Sequence, residues 1–79
     1  MNSEIYEKIK GILMENLHVK DDVITPDSEL VNDLGINSLE LADLVMLCED
    51  KFGITIEDEE AQSFVTVGDV AEYLEKKAG

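Results

Sequence analysis

Apolar residues recur at helical spacing in three stretches of this chain, and that spacing restricts the fold more than any other feature. Ile5, Ile9, Ile12, Leu13 and Leu17 make one face. Leu41, Leu44, Val45, Cys48 and Phe52 make a second, and Val67, Val70, Ala71 and Leu74 a third. Steps of three and four residues put such side chains on one side of a helix. The spacing predicts a first helix from residue 3 to about 17, a second from 38 to about 51, and a last one after Thr66. A short, strongly acidic helix is expected from residue 57 to about 63. The expected fold is all-α: a small four-helix bundle of three main helices plus the short acidic third, with a long loop between helices one and two.

Punctuation residues support these bounds. Ser3 suits the cap of helix one, with Glu4 and Glu7 near its positive end. Gly53 suits the left-handed residue that ends helix two. Thr66 with Asp69 three residues on makes a weaker capping box, and Lys76 and Lys77 suit the negative end of the last helix. Gly11 weakens helix one by about 1 kcal/mol relative to Ala, and close packing is the expected reason for it. His18 is read as a surface residue at the end of helix one, not a catalytic one. Tyr6, Tyr73 and Cys48 are read as packing residues, Cys48 as a small buried hydrophobe.

The connection from residue 19 to 36 is longer than the roughly 12–15 residues usual in compact domains. It holds Pro26 in the turn-like Thr25-Pro26-Asp27-Ser28 and the pair Asp21-Asp22. Val23, Ile24, Leu30, Val31, Leu34 and Ile36 are expected to pin it to the bundle, with a helical turn around residues 28–33.

Seventy-nine residues point to one small domain over 1–79. Such a chain buries only about 60–65% of its unfolded surface, too little for a typical enzyme cleft. Nineteen acids face six lysines and no arginine, a net charge of −13. Nucleic acid and anionic membranes would be repelled, and basic protein partners favoured. The plainer account of the acids is solubility. One cysteine excludes an internal disulfide. The first residues lack the basic and apolar regions of a signal peptide, and no apolar run approaches a membrane span. A monomeric cytoplasmic protein is expected.

The junction Asp33-Leu34-Gly35-Ile36-Asn37-Ser38-Leu39-Glu40 carries the chemistry. Gly35 frees the backbone before the turn, and Asn37 with Glu40 forms a capping box of the N-x-x-E kind. Ser38 then falls on the first helical residue, where free N–H groups and the helix dipole favour an anion. A phosphoester on its hydroxyl would be well placed. Beyond it, Leu39, Asp43, Met46 and Asp50 share the outer face of helix two, flanked by Glu40 and Glu49. Either these are scattered surface hydrophobes among acids, or they form a docking patch beside Ser38.

Catalytic constellations are missing. Ser38 lies in no G-x-S-x-G elbow, and His18 is a long loop away. No Cys/His cluster has zinc spacing, and no glycine-rich phosphate loop occurs. The run Glu57-Asp58-Glu59-Glu60 lacks the spacing and turn glycine of a calcium loop. The expected role is a substrate of enzymes, with no metal, and not an enzyme.

The run Leu34-Gly35-Ile36-Asn37-Ser38-Leu39-Glu40 resembles the acyl carrier protein family. So do Leu44-Val45-Met46, Glu49-Asp50-Lys51-Phe52-Gly53-Ile54 and Thr66-Val67-Gly68-Asp69-Val70. The family carries a 4'-phosphopantetheine arm on the serine of a D-S-L motif, and Asn37 stands here in place of its aspartate. The resemblance implies that a phosphopantetheinyl transferase moves the arm from coenzyme A onto Ser38. The arm's thiol would hold acyl groups as thioesters for acyl-transferring and chain-elongating enzymes with basic docking surfaces. Leu39, Glu40, Asp43, Met46 and Glu49 are the expected docking residues. Leu44, Val45 and Ile56 are expected to line a space for the acyl chain. The expected cargo is that of fatty acid or related acyl biosynthesis; the alternatives are a dedicated polyketide, aminoacyl or peptidyl carrier, or an unmodified helical interaction module.

Overall fold

The computed structural model describes residues 3–78. Met1, Asn2 and Gly79, which the expected domain over 1–79 includes, lie outside the described residues. The chain forms α1 (Ser3–Glu15), a 3-10 turn (Asp21–Val23), α2 (Ser38–Phe52), α3 (Asp58–Ala61) and α4 (Val67–Ala78). The fold is the expected all-α bundle with a short third helix. A single antiparallel bridge, Glu29 with Thr66, is its only sheet-like contact among the described residues.

Helix α1 packs against both α2 and α4. Ile5, Ile9, Ile12 and Leu13 are buried from α1, Leu44 and Cys48 from α2, and Val67, Val70, Ala71 and Leu74 from α4. These are mainly the residues of the three periodic stripes, so apolar burial at about 25 cal/mol per Å² drives the assembly. Leu17, Leu41, Val45 and Phe52 are partly buried against this core, as is Leu47, which helical phase alone had not assigned to it.

Helix α1 stops earlier than periodicity predicts, and Ser3 lies within the helix rather than at its cap. His18 adopts a left-handed conformation, φ 59°, and the Val19 amide donates back to the Leu13 carbonyl at 2.9 Å. His tolerates this region better than most residues, so it ends the helix where a glycine would be usual. Gly11 is not explained by close packing: a Cβ there would meet only Glu15 Oε2, at 3.9 Å.

The long connection is held down by hydrogen bonds as much as by side chains. Ile24, Leu30 and Ile36 are buried and Leu34 partly so, but Val23 and Val31 are exposed. The expected helical turn is present, with turn residues 30–34 and the Asp33 and Gly35 amides donating to the Glu29 and Val31 carbonyls at 2.9 and 3.1 Å. Ser28 is buried, yet its Oγ accepts from the Thr25 amide at 2.9 Å and donates to the Val23 carbonyl at 2.7 Å. The connection then reaches α4. Leu30 N–H donates to the Val65 carbonyl, Val67 N–H to Ser28 and Gly68 N–H to Pro26, at 2.8, 3.0 and 2.8 Å. Lys10 of α1 binds Asp21 of the 3-10 turn at 2.6 Å, and this partner raises the lysine pKa.

Candidate functional site: the start of α2 and the groove beside it

Three local devices set the first turn of α2. Gly35 sits at φ 71°, a conformation that L side chains rarely adopt. Asn37 is extended and its Oδ1 accepts from the Glu40 amide at 2.8 Å. Glu40 Oε1 accepts in return from the Asn37 amide at 3.1 Å. Asparagine therefore performs the capping role as aspartate would.

Ser38 is the first residue of α2 and is exposed. Helix geometry leaves the Ser38 and Leu39 amides without intrahelical acceptors. The hydroxyl thus stands at an open, electropositive helix end that suits a phosphodiester.

From Ser38 an open groove of about 490 Å³ runs between α2 and α3. Ser38, Leu41, Ala42, Val45, Met46 and Glu49 form the α2 side, and Ile56, Asp58, Ala61 and Gln62 the other. Of the three residues expected to line an acyl space, Val45 and Ile56 line this groove. Leu44 does not: it is 1% exposed and belongs to the core. Asp58, Ala61 and Gln62 were not anticipated as wall residues. Their i, i+3, i+4 spacing was the available signal, because such residues share a helix face.

The far wall is anchored from α4. Tyr73 Oη donates to Glu60 Oε1 at 2.7 Å, and its ring meets Phe64 edge-on, with centroids 5.3 Å apart. Desolvation and this bond push the Tyr73 phenol up to about 12, and the same bond lowers the Glu60 carboxyl.

On the outer face of α2, Leu39 is 78% and Met46 55% exposed. Asp43 is exposed as well, and Glu40 and Glu49 are half-buried. Met46 is shared by two concavities. It lines the groove, and it lines a smaller cleft of about 260 Å³ with Asn16, Leu17, Asp43, Leu47 and Asp50. Glu49 is not a free surface acid: its Oε2 accepts from the Ile56 amide at 2.7 Å. Cys48 is buried in the core, and burial first, then Glu49, pushes its thiol up to about 12. It stays protonated and unreactive at neutral pH. No group of His, Cys, Asp and Glu able to hold a metal ion occurs among the described residues.

The family model for the phosphopantetheine attachment site matches residues 7–74. The chain belongs to the acyl carrier protein family. It is 43% identical to the acyl carrier protein of Thermotoga maritima, over 96% of this chain and 94% of that one. It is 44% identical to the acyl carrier protein of Helicobacter pylori strain G27, over 90% and 91%. A solved structure titled as a candidate acyl carrier protein from Mycobacterium tuberculosis superposes with a TM-score of 0.85 at 37% identity. That superposition covers 92% of this chain and 97% of the other. As an acyl carrier protein the chain is a carrier and not an enzyme, and its cofactor is covalent 4'-phosphopantetheine. The family works with a phosphopantetheinyl transferase and with synthetic enzymes. Among the described residues no helix is long and apolar enough to cross a membrane.

Proposed function

We propose that Ser38 is the attachment point of the arm. The loaded arm delivers acyl intermediates, as thioesters, to cytoplasmic enzymes of fatty acid or related acyl biosynthesis. The observation that carries this reading is the exposed Ser38 hydroxyl at the open start of α2, with the groove beginning beside it. In the loading step Ser38 Oγ attacks the β-phosphorus of coenzyme A. An O–P bond forms, the bond to 3',5'-adenosine bisphosphate breaks, and the hydroxyl proton goes to a base of the transferase. The acyl group then sits on the arm's terminal thiol, and tethering holds it at high effective concentration near each partner. Val45 and Ile56 offer it apolar shelter in the groove.

Leu39, Glu40, Asp43, Met46 and Glu49 serve partner docking on this reading. The apolar pair supplies contact energy, and the acids steer a basic partner into register.

Incubation with coenzyme A and a transferase tests the attachment. Intact mass should rise by one arm, and Ser38→Ala should abolish the gain. Modification that persists in the Ala variant would overturn the assignment. Stopped-flow binding to a basic transferase at two salt concentrations tests the face. Asp43→Lys should slow association and flatten its salt dependence, whereas Met46→Ala should speed dissociation. Two variants that bind like the parent would remove α2 as the docking face.

A further inference from the structure

Glu49 holds the end of the groove opposite Ser38. The two residues lie about 16 Å apart along α2 at the helical rise per residue. Three amides of the segment leaving α2 converge on Glu49. Its carbonyl accepts from Gly53 at 2.9 Å and from Ile54 at 3.2 Å, and its carboxylate from Ile56 at 2.7 Å. The first two bonds close the helix. The third does not belong to the helix end: it spans seven residues and fastens the chain that enters α3 to the side of α2. Glu49 and Ile56 both line the groove, from opposite walls.

The wall that this bond positions is slight. Helix α3 has four residues, none of them buried. A helix of that length holds no position through its own hydrogen bonds. Its inner edge is tied by Ile56, buried and bound to Glu49. Its outer edge is tied by the Tyr73–Glu60 bond to α4. The outer tie joins α3 to α4, the inner one joins the chain entering α3 to α2, and Ile56 and Ala61 pack against the common core.

We propose that Glu49 is a positioning residue for the acyl chain: by holding the Ile56 amide it sets how closely the α3 wall stands to α2, and so how well the far end of a bound chain is screened from water. This rests on the reading that the groove takes the acyl chain. It reassigns Glu49 from the docking rim, where charge would be its contribution, to the groove, where an acceptor oxygen is.

Two variants separate these roles because both remove the same charge. Glu49→Gln keeps an acceptor oxygen at the same reach. Glu49→Met keeps the length and helix propensity and offers only a weak acceptor. The holo-protein is loaded on its arm with an acetyl or an octanoyl group. Hydrogen exchange at the Ile56 amide is followed by NMR, and thioester loss to neutral hydroxylamine by mass. In Glu49→Met, Ile56 exchange should quicken about tenfold or more. Octanoyl loss should rise several-fold with acetyl loss unchanged. In Glu49→Gln both readouts should stay within about twofold of the parent. Unchanged Ile56 exchange in the Met variant, or equal effects of Gln and Met, would overturn the positioning role. Octanoyl and acetyl loss rising together in the Met variant would overturn it too. If the parent protects octanoyl no better than acetyl, the acyl-groove reading fails instead, and the proposed screening fails with it; Ile56 exchange then reports on the bond alone.

Discussion

Helices α2 and α4 begin with the same local chemistry and have opposite surroundings. At α2, Asn37 and Glu40 cap each other reciprocally. At α4, Thr66 Oγ1 accepts from the Asp69 amide, and Asp69 Oδ2 accepts from the Thr66 and Val65 amides, at 3.1, 3.0 and 3.0 Å. The next residue in each case is the first of the helix. Ser38 is exposed there, whereas Val67 is 0% exposed. The Val67 and Gly68 amides are taken by carbonyls of Ser28 and Pro26, while the matching amides at α2 face outward without helical acceptors. A helix start becomes an anion site only where no other backbone has already used its donors. The long connection does that service for α4 and leaves α2 open.

The largest effect expected from breaking this contrast comes from moving the serine. Val67→Ser combined with Ser38→Ala puts a hydroxyl at the first position of α4. Loss of buried apolar volume and burial of a hydroxyl should lower stability by about 2–3 kcal/mol, read by urea unfolding. Under folding conditions the variant should gain no arm by intact mass. Arm addition at the new serine would mean that openness is not what distinguishes the two starts.

A smaller effect should come from removing one cap at a time. Asn37→Ala should cost about 1 kcal/mol, because the released amides at an exposed start turn to water. Asp69→Ala should cost about 1–2 kcal/mol, since two amides lose their acceptor beside a covered start. Equal losses would erase the comparison. The same carboxylate provides a pH readout. The Thr66 amide, then that of Val65, holds Asp69 below the usual carboxylate range. A depressed folded pKa makes its contribution complete above the unfolded value, about 3.9, and lost as pH falls through the folded one. Asp69→Asn should therefore flatten acid unfolding below about pH 4, followed by circular dichroism.

The smallest effect belongs to a position remote from both starts. Gly11→Ala should stabilise by about 0.5–1 kcal/mol, because the added Cβ meets only the end of a flexible Glu15 side chain. Thermal unfolding should show the gain with arm incorporation unchanged. A loss of stability would mean that α1 needs a glycine for a reason its neighbours do not reveal.

Much of the site could be read from the chain. Periodicity marked the stripes of α1, α2 and α4, and the spacing of Asn37 to Glu40 and Thr66 to Asp69 marked two helix starts. Periodicity ran too far at α1, because the turn at His18 depends on a backbone conformation that apolar spacing does not encode. It also missed the partial burial of Leu47. Periodicity placed Leu44 and Val45 together on the core stripe, although one step of about 100° along the helix separates buried Leu44 from groove-lining Val45.

The sequence by itself determined which segments are helical, where two of them are capped, and which serine stands at a helix start in an acyl carrier context. These features depend on hydrogen bonds and side-chain spacings within a few residues of one another. Only the tertiary structure decided that the start of α2 is open and that of α4 closed, and that Glu49 reaches the Ile56 amide across the groove. The first outcome depends on where the carbonyls of Pro26 and Ser28 come to rest. That position is set by burying Ile24, Leu30 and Ile36 in the common core, a long-range packing result that no local pattern contains.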